Sequence, residues 1–208
     1  MNKRSVMVAD LERGAGKVAK KKYGMVIDLE KCTGCRGCSV SCKNEHEIPP
    51  GVNFCWVYQE GPVGTYPKVS MYYLPRACMQ CSEPICVKVC PTKASYINED
   101  GIVLIDEDLC FGCQYCIWAC PYEARFFHPG KKIVQKCNSC IHLVAMGKEP
   151  NCVVNCQGKA RFFGDLNDPE SQVSRMLDQN TDRVFRVKEE LKVDPQVYYL
   201  LAKKVKIK

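Results

Sequence analysis

Apolar residues in this chain come in short runs separated by turn-forming residues, and the period of each run predicts its element. Tyr23-Gly-Met-Val-Ile-Asp-Leu29 is a β-rich run. Cys38 to Glu47 predicts a short helix, stopped by Pro49-Pro50-Gly51. Residues 51–75 predict strands and turns, with alternation in Tyr66-Pro-Lys-Val-Ser-Met-Tyr-Tyr-Leu74. Gly101-Ile-Val-Leu-Ile-Asp106 predicts a further strand. Asp168-Pro169-Glu170 reads as a helix start, with Asp as cap and Pro at the first position, after which Val173, Met176 and Leu177 share one face. Val184-Phe-Arg-Val187 and Val197-Tyr-Tyr-Leu-Leu201 predict strands separated by Asp194-Pro195. The expected class is α+β, with short strands and short helices. No stretch approaches the ~20 apolar residues of a membrane-crossing helix, so no direct membrane span is expected.

What lies between the runs changes the picture. Sixteen of the seventeen cysteines fall into four groups of four, leaving Cys55. The third group, Cys110-Phe-Gly-Cys113-Gln-Tyr-Cys116-Ile-Trp-Ala-Cys120-Pro121, has the C-x2-C-x2-C-x3-C-P spacing of bacterial ferredoxins. Three closely spaced thiolates wrap one 4Fe–4S cube, and the fourth ligates a different one. One such run therefore demands a partner run. Cys32-Thr-Gly-Cys35-Arg-Gly-Cys38-Ser-Val-Ser-Cys42 repeats the spacing, and Gly34 and Gly37 give its loop the freedom to wrap a cluster. Cys78-Met-Gln-Cys81-Ser-Glu-Pro-Ile-Cys86-Val-Lys-Val-Cys90-Pro91 differs by one longer gap. The fourth group is Cys137-Asn-Ser-Cys140 followed by Cys152-Val-Val-Asn-Cys156.

The spacing excludes the ordinary readings of a cysteine-rich chain. Disulfide frameworks belong to short secreted domains without strict CxxC grouping. Zinc ribbons use two CxxC pairs separated by a long loop. Four-cysteine runs favour iron–sulfur clusters instead, and all sixteen grouped cysteines are the candidate metal ligands.

Charge follows from the same assignment. The formal net charge is +7, but each oxidised 4Fe–4S core with its four thiolates adds roughly −2, so four sites bring the balance to about −1. The basic excess is internal compensation, and no nucleic-acid partner is expected because no basic block is interleaved with aromatics. The first ten residues offer no signal-peptide core, so any export is expected to depend on another subunit.

The groups occur in an order that suggests duplication. Ala124-Arg-Phe-Phe127 and Ala160-Arg-Phe-Phe163 each follow the last cysteine of a group by four residues. The expected organisation is two bacterial-type ferredoxin-like units, one nested in the other. Residues 1–23 form a flexible basic arm. Residues 24–77 with 129–165 form the outer unit, residues 78–128 the inner unit, and residues 166–208 a C-terminal extension of helix and strand.

The motifs MVIDLEKCTGCRGCSVSCKNE, CVKVCPTKA, CFGCQYCIWACPYEAR and FFGDLNDPES resemble the iron–sulfur subunit of molybdopterin oxidoreductases of the dimethyl sulfoxide reductase and polysulfide reductase type. The likeness covers residues 24 to about 200. It implies a four-cluster wire. Cys32, Cys35, Cys38 and Cys156 would hold the cluster nearest the catalytic subunit. Cys42, Cys137, Cys140 and Cys152 would hold the next, and Cys78, Cys81, Cys86 and Cys120 the third. Cys90, Cys110, Cys113 and Cys116 would hold the one nearest a quinone-reactive membrane partner. The chain departs from the family pattern at Gln157, where a Pro is common, at Lys93, where a Gly is common, and at Ile85, where a second Pro is usual. None of these removes a ligand.

The implied function is relay of single electrons through four 4Fe–4S clusters between a molybdenum- or tungsten-containing molybdopterin subunit and a membrane quinone-reactive subunit or other redox partner. No catalytic residue set or organic-cofactor motif is visible, so the chain is expected not to be an enzyme by itself. The expected location is a membrane-associated complex on the periplasmic side, reached by co-export with the catalytic subunit. The alternatives are a cytoplasmic complex in which the chain is a polyferredoxin for a hydrogenase or a tungsten aldehyde-oxidoreductase-like enzyme, and a free carrier. Cys55 is expected to be a buried small hydrophobe. His46, His128 and His142 are expected at the surface or behind the ligands, and Trp118 against the cluster sulfides, excluding water. Arg36, Lys88, Lys93 and Arg125 are expected to compensate cluster charge.

Overall fold

In the computed structural model, which describes residues 21–202, the first element is β1 (Tyr23–Asp28). Helix α1 (Gly37–Glu45) follows, then the long hairpin of β2 (Trp56–Thr65) and β3 (Lys68–Arg76). The inner segment contains α2 (Ile85–Lys88), β4 (Ser95–Ile97), β5 (Val103–Ile105) and α3 (Tyr115–Trp118). Next come β6 (Arg125–His128), β7 (Ile133–Lys136), α4 (Ile141–Val144), α5 (Asn151–Val154) and β8 (Arg161–Asp165). Helix α6 (Gln172–Gln179), β9 (Val184–Phe185) and β10 (Val197–Leu200) close the described residues. The class is α+β, as the short runs imply. The expected basic arm lies almost wholly outside the described residues.

The largest sheet has strand order β8-β1-β10-β9. β1 pairs antiparallel with β8, Val26 opposite Phe162, and parallel with β10, Val26 opposite Tyr198. The tail is therefore part of the central sheet and not merely a cover over it, because β10 lies directly beside β1. Alternation along the strands sends buried side chains to both faces. On one face Val26 and Leu200 meet Val173, with Met176 and Leu177 of α6 packed around them. On the other, Ile27, Val197 and Tyr199 join Leu29, Val193, Met79, Tyr122 and Ala124. That second cluster ties β1 and the tail to residues of the inner segment, which joins the expected units into one body. Tyr199 is fully buried, and its hydroxyl donates to the Pro75 carbonyl at 2.9 Å, so it adds apolar area without leaving a polar atom unpaired.

Three two-stranded hairpins complete the structure: β2–β3, β4–β5 and β6–β7. The base of β2–β3 packs inward through Trp56, Tyr72 and Leu74, while its turn exposes Tyr66. Helix α6 starts differently from expectation. Its cap is Ser171, whose hydroxyl accepts from Ser174 N at 3.2 Å. Asp168 instead closes the preceding turn by accepting from Glu170 N at 2.9 Å. A hydroxyl one residue before the first helical turn outcompetes the Asp-Pro pair three residues earlier.

Candidate metal centres

Each Cys-x-x-Cys loop turns through a left-handed residue just before its second cysteine: Gly34 (φ 70°), Gln80 (φ 47°), Gly112 (φ 77°) and Ser139 (φ 57°). This conformation is costly for side chains other than glycine, and it folds the chain back so that both thiols face one side. The next cysteine of each group lies in a short helix: Cys38 in α1, Cys86 in α2, Cys116 in α3 and Cys152 in α5. A second left-handed residue stands three positions after the last cysteine of three groups, at Lys93, Glu123 and Lys159. The alanine that follows in each case, Ala94, Ala124 or Ala160, is buried. The third copy shows that the Ala-Arg repeat belongs to a wider motif, in which Ser95 takes the place of Arg125 and Arg161.

The folding of these loops gathers thiols that are far apart in sequence. Cys32, Cys35, Cys38 and Cys156 line one cavity together with Gly34, Val57 and Pro75. Cys90, Cys110, Cys113 and Cys116 line a second, closed by Ala94, Ile105 and Val134. Cys42, Cys137, Cys140 and Cys152 line a third, which Cys55 and Cys78 also touch. Around Cys81, the thiols whose charges act on it are Cys78, Cys86 and Cys120, and Cys78, Cys81 and Cys120 pack against the core that holds Met79 and Tyr122. Among the described residues no group of three or more His, Cys, Asp or Glu side chains closes on a single metal ion. Thiols standing around a space fit a multi-iron cube with four thiolate corners. They do not fit the tight tetrahedron of a four-thiolate zinc site.

Backbone amides point at the sulfurs. Ser95 N lies 3.4 Å from Cys90 Sγ, Val134 N 3.5 Å from Cys110 Sγ, Ser139 N 3.5 Å from Cys137 Sγ and Ala160 N 3.2 Å from Cys156 Sγ. Such donors favour the thiolate and raise a bound cluster's potential. Burial opposes them. It pushes Cys137, Cys140 and Cys152 up to about 11 and raises Cys42 and Cys81 further. Cys90 goes the other way: burial works against its thiolate, but bonds from Ser95, Thr92 and Ala94 outweigh it. Most of these groups are thiols in the metal-free chain, so iron must displace their protons when it binds.

Several neighbours of the thiols differ from expectation. Trp118 is 87% exposed and covers no sulfur, because the four-residue helix α3 turns its outer face to solvent while Cys116 faces inward. Cys55 is buried, as expected of a small hydrophobe, yet it has polar work: its hydrogen bond draws Cys38 below the ordinary thiol range, and it accepts from Arg161. His46 is partly buried with Nε2 3.3 Å from Cys140 Sγ, and its ring meets His142 edge-on at 5.6 Å. Arg161 and Lys136 were missed as candidate neighbours. The Ala-Arg repeat was the available signal for Arg161, and nothing in the local sequence singled out Lys136.

The profile of the 4Fe-4S dicluster domain matches residues 69–166. One subunit of the selenate reductase of Mesobacillus selenatarsenatis is 44% identical over 209 residues, covering 85% of this chain and 70% of that protein. One polypeptide of the polysulfide reductase of Wolinella succinogenes is 44% identical over 183 residues, covering 86% of this chain and 93% of that one. One subunit of the tetrathionate reductase of Salmonella typhimurium is 42% identical over 186 residues, covering 87% and 73% respectively. The chain thus belongs to the iron–sulfur subunits of molybdopterin oxidoreductases. As a member of that family this subunit uses 4Fe–4S clusters as cofactors and carries electrons, with bond chemistry left to a catalytic partner. Among the described residues no helix of the subunit is long and apolar enough to cross a membrane.

Proposed function

We propose that the chain holds four 4Fe–4S clusters in a row and relays single electrons between a molybdopterin catalytic subunit, containing molybdenum or tungsten, and a membrane quinone-reactive subunit. The observation that carries this reading is the gathering of sixteen grouped cysteines into four quartets, three of them around cavities. In this reading Cys32, Cys35, Cys38 and Cys156 hold the first cluster. Cys42, Cys137, Cys140 and Cys152 hold the second, Cys78, Cys81, Cys86 and Cys120 the third, and Cys90, Cys110, Cys113 and Cys116 the fourth. When bound, each 4Fe–4S group supplies a one-electron redox centre.

The contacts between quartets support the order of the row. The Arg161 charge acts on both Cys38 of the first quartet and Cys152 of the second. Cys78 of the third touches the cavity of the second and acts on Cys137. Arg125 acts on Cys86 of the third and Cys116 of the fourth. The outer unit (24–77 with 129–165) then carries the first two clusters and the inner unit (78–128) the last two, with residues 166–208 as the extension that lends β10 to the central sheet.

The two ends of the row offer unlike surfaces. Beside the fourth quartet, Leu109, Phe111, Tyr115 and Trp118 are all more than half exposed, an apolar patch of the kind that marks a protein interface. It fits the membrane-anchored partner. Beside the first quartet, the surface of α1 and α5 carries Ser41, Asn44, Asn151 and Asn155 around Val40 and Val154, and it fits the large catalytic subunit. The assembled complex is membrane-associated, on the periplasmic side through co-export with the catalytic subunit. Anaerobic purification through a tag on this chain, with mass identification of what accompanies it, tests the reading. A molybdenum- or tungsten-containing subunit together with an integral membrane subunit is expected. A hydrogenase, or no stable partner, contradicts it.

A further inference from the structure

Among the described residues the buried charged side chains are Asp28, Arg125, Lys136 and Arg161. Asp28 lies 3.5 Å from Arg183. The three cations form no ion pair with any carboxylate of the described residues. An ion taken out of water without a partner destabilises a fold heavily, and this fold buries three of one sign. Two of them are direct cross-strand neighbours: in the β6–β7 hairpin Arg125 stands opposite Lys136, an arrangement that like charges disfavour. Such a set persists only where negative charge is supplied from elsewhere.

Their positions say where that charge comes from. Arg161 reaches Cys152 Sγ at 3.7 Å and Cys55 Sγ at 3.0 Å, and its charge acts on Cys38. Lys136 donates to the carbonyls of Val103 and Cys137, the latter at 2.8 Å. Gln80, from the Cys78–Cys81 loop, clasps the same two residues: it donates to the Cys137 carbonyl at 3.1 Å and accepts from Val103 N at 2.9 Å. The Lys136 charge acts on Cys137 and on Cys86. Arg125 donates to Cys86 Sγ at 3.0 Å and to Ser95 Oγ at 2.8 Å, and a side-chain hydrogen bond links it to Cys116.

We propose that Arg161, Lys136 and Arg125 are the counter-charges of the row, one at each gap between consecutive clusters, and that each holds up the reduction potentials of the two clusters it stands between. The inference rests on the four-quartet assignment above. A fixed positive charge in a dry site favours the reduced, more negative state of any redox centre beside it. Placed between two centres, it acts on both and raises both potentials.

The test is an EPR-monitored redox titration of the anaerobically purified complex carrying Arg161→Gln, Lys136→Gln or Arg125→Gln. Each variant is expected to move two of four potentials to more negative values. The Arg161 and Lys136 variants share one affected cluster, the Lys136 and Arg125 variants share another, and the Arg161 and Arg125 variants share none. The charge-keeping variants Arg161→Lys, Lys136→Arg and Arg125→Lys keep all four potentials near the parent's. A neutral variant that moves no potential, or all four together, overturns the inference. Where a neutral variant loses a cluster, its charge-keeping counterpart decides: retention of four clusters supports charge as the cause, and equal loss overturns it. A parent complex with fewer than four clusters overturns the quartet assignment itself.

Discussion

The Arg161 guanidinium stands 3.0 Å from the Cys55 sulfur, and its other terminal nitrogen faces Cys152 at 3.7 Å. Cys55 is thus the one cysteine outside the quartets and still part of their hydrogen-bonded surroundings. Cys55→Ala is expected to leave iron unchanged at about sixteen per chain. Stability should fall by about 1–3 kcal/mol, because a buried guanidinium donor loses its acceptor. Iron analysis and anaerobic urea unfolding read the two effects separately. A loss of about four irons would make Cys55 a ligand.

Gly112 carries φ 77°, and a Cβ there would collide with the Lys132 backbone carbonyl and crowd the Phe127 ring. A backbone atom cannot step aside as a flexible side chain does. Gly112→Ala should therefore open the Cys110–Cys113 loop and cost the fourth cluster, bringing iron to about twelve per chain. Unchanged iron with an unchanged EPR spectrum would mean that this loop tolerates the strain.

Lys93 occupies a left-handed position, φ 59°, where glycine is the residue without a Cβ penalty. Lys93→Gly should stabilise the holo-protein by about 0.5–1 kcal/mol, since relief of the left-handed strain exceeds the added unfolded-state entropy. The midpoint of anaerobic thermal unfolding is expected to rise. A lower midpoint would show that the Lys93 side chain contributes more than its backbone costs.

Trp118 is the most exposed member of the apolar patch beside the fourth quartet. Trp118→Ser should leave the iron content and the isolated subunit's stability unchanged. It should weaken retention of the membrane partner by about thirtyfold, the effect of losing an interface anchor worth about 2 kcal/mol. Pull-down at graded detergent and salt concentrations measures this. Equal retention would place the partner elsewhere.

Much of the architecture was legible because cysteine spacing is a local code. The group at 32–42 leads into the helix expected from Cys38, which forms as α1, whereas the one-turn helices α2 and α3 in the groups at 78–90 and 110–120 are too short to leave a periodic signal. Short apolar runs likewise gave β1, β5 and β10 to within a residue or two. The pairing of β10 with β1 was not legible, because a parallel neighbour contributed from 172 residues away leaves no periodic trace in either strand. Trp118 misled because an aromatic between two cysteines reads as core, whereas a one-turn helix can bury only the thiol side. Lys136 was invisible for a related reason: a lysine ending a strand reads as solvated until Gln80 and Val103, from other parts of the chain, close over it.

In the proposed arrangement sixteen cysteines hold four clusters of four irons. Iron and acid-labile sulfide per chain, measured on the anaerobically purified native complex alongside quantitative EPR of the reduced protein, address it most directly once the partner subunits' own iron is subtracted. About sixteen of each per chain and four interacting paramagnets are expected. Zinc in place of iron, or about eight irons with half of the grouped thiols free to alkylation, would contradict it.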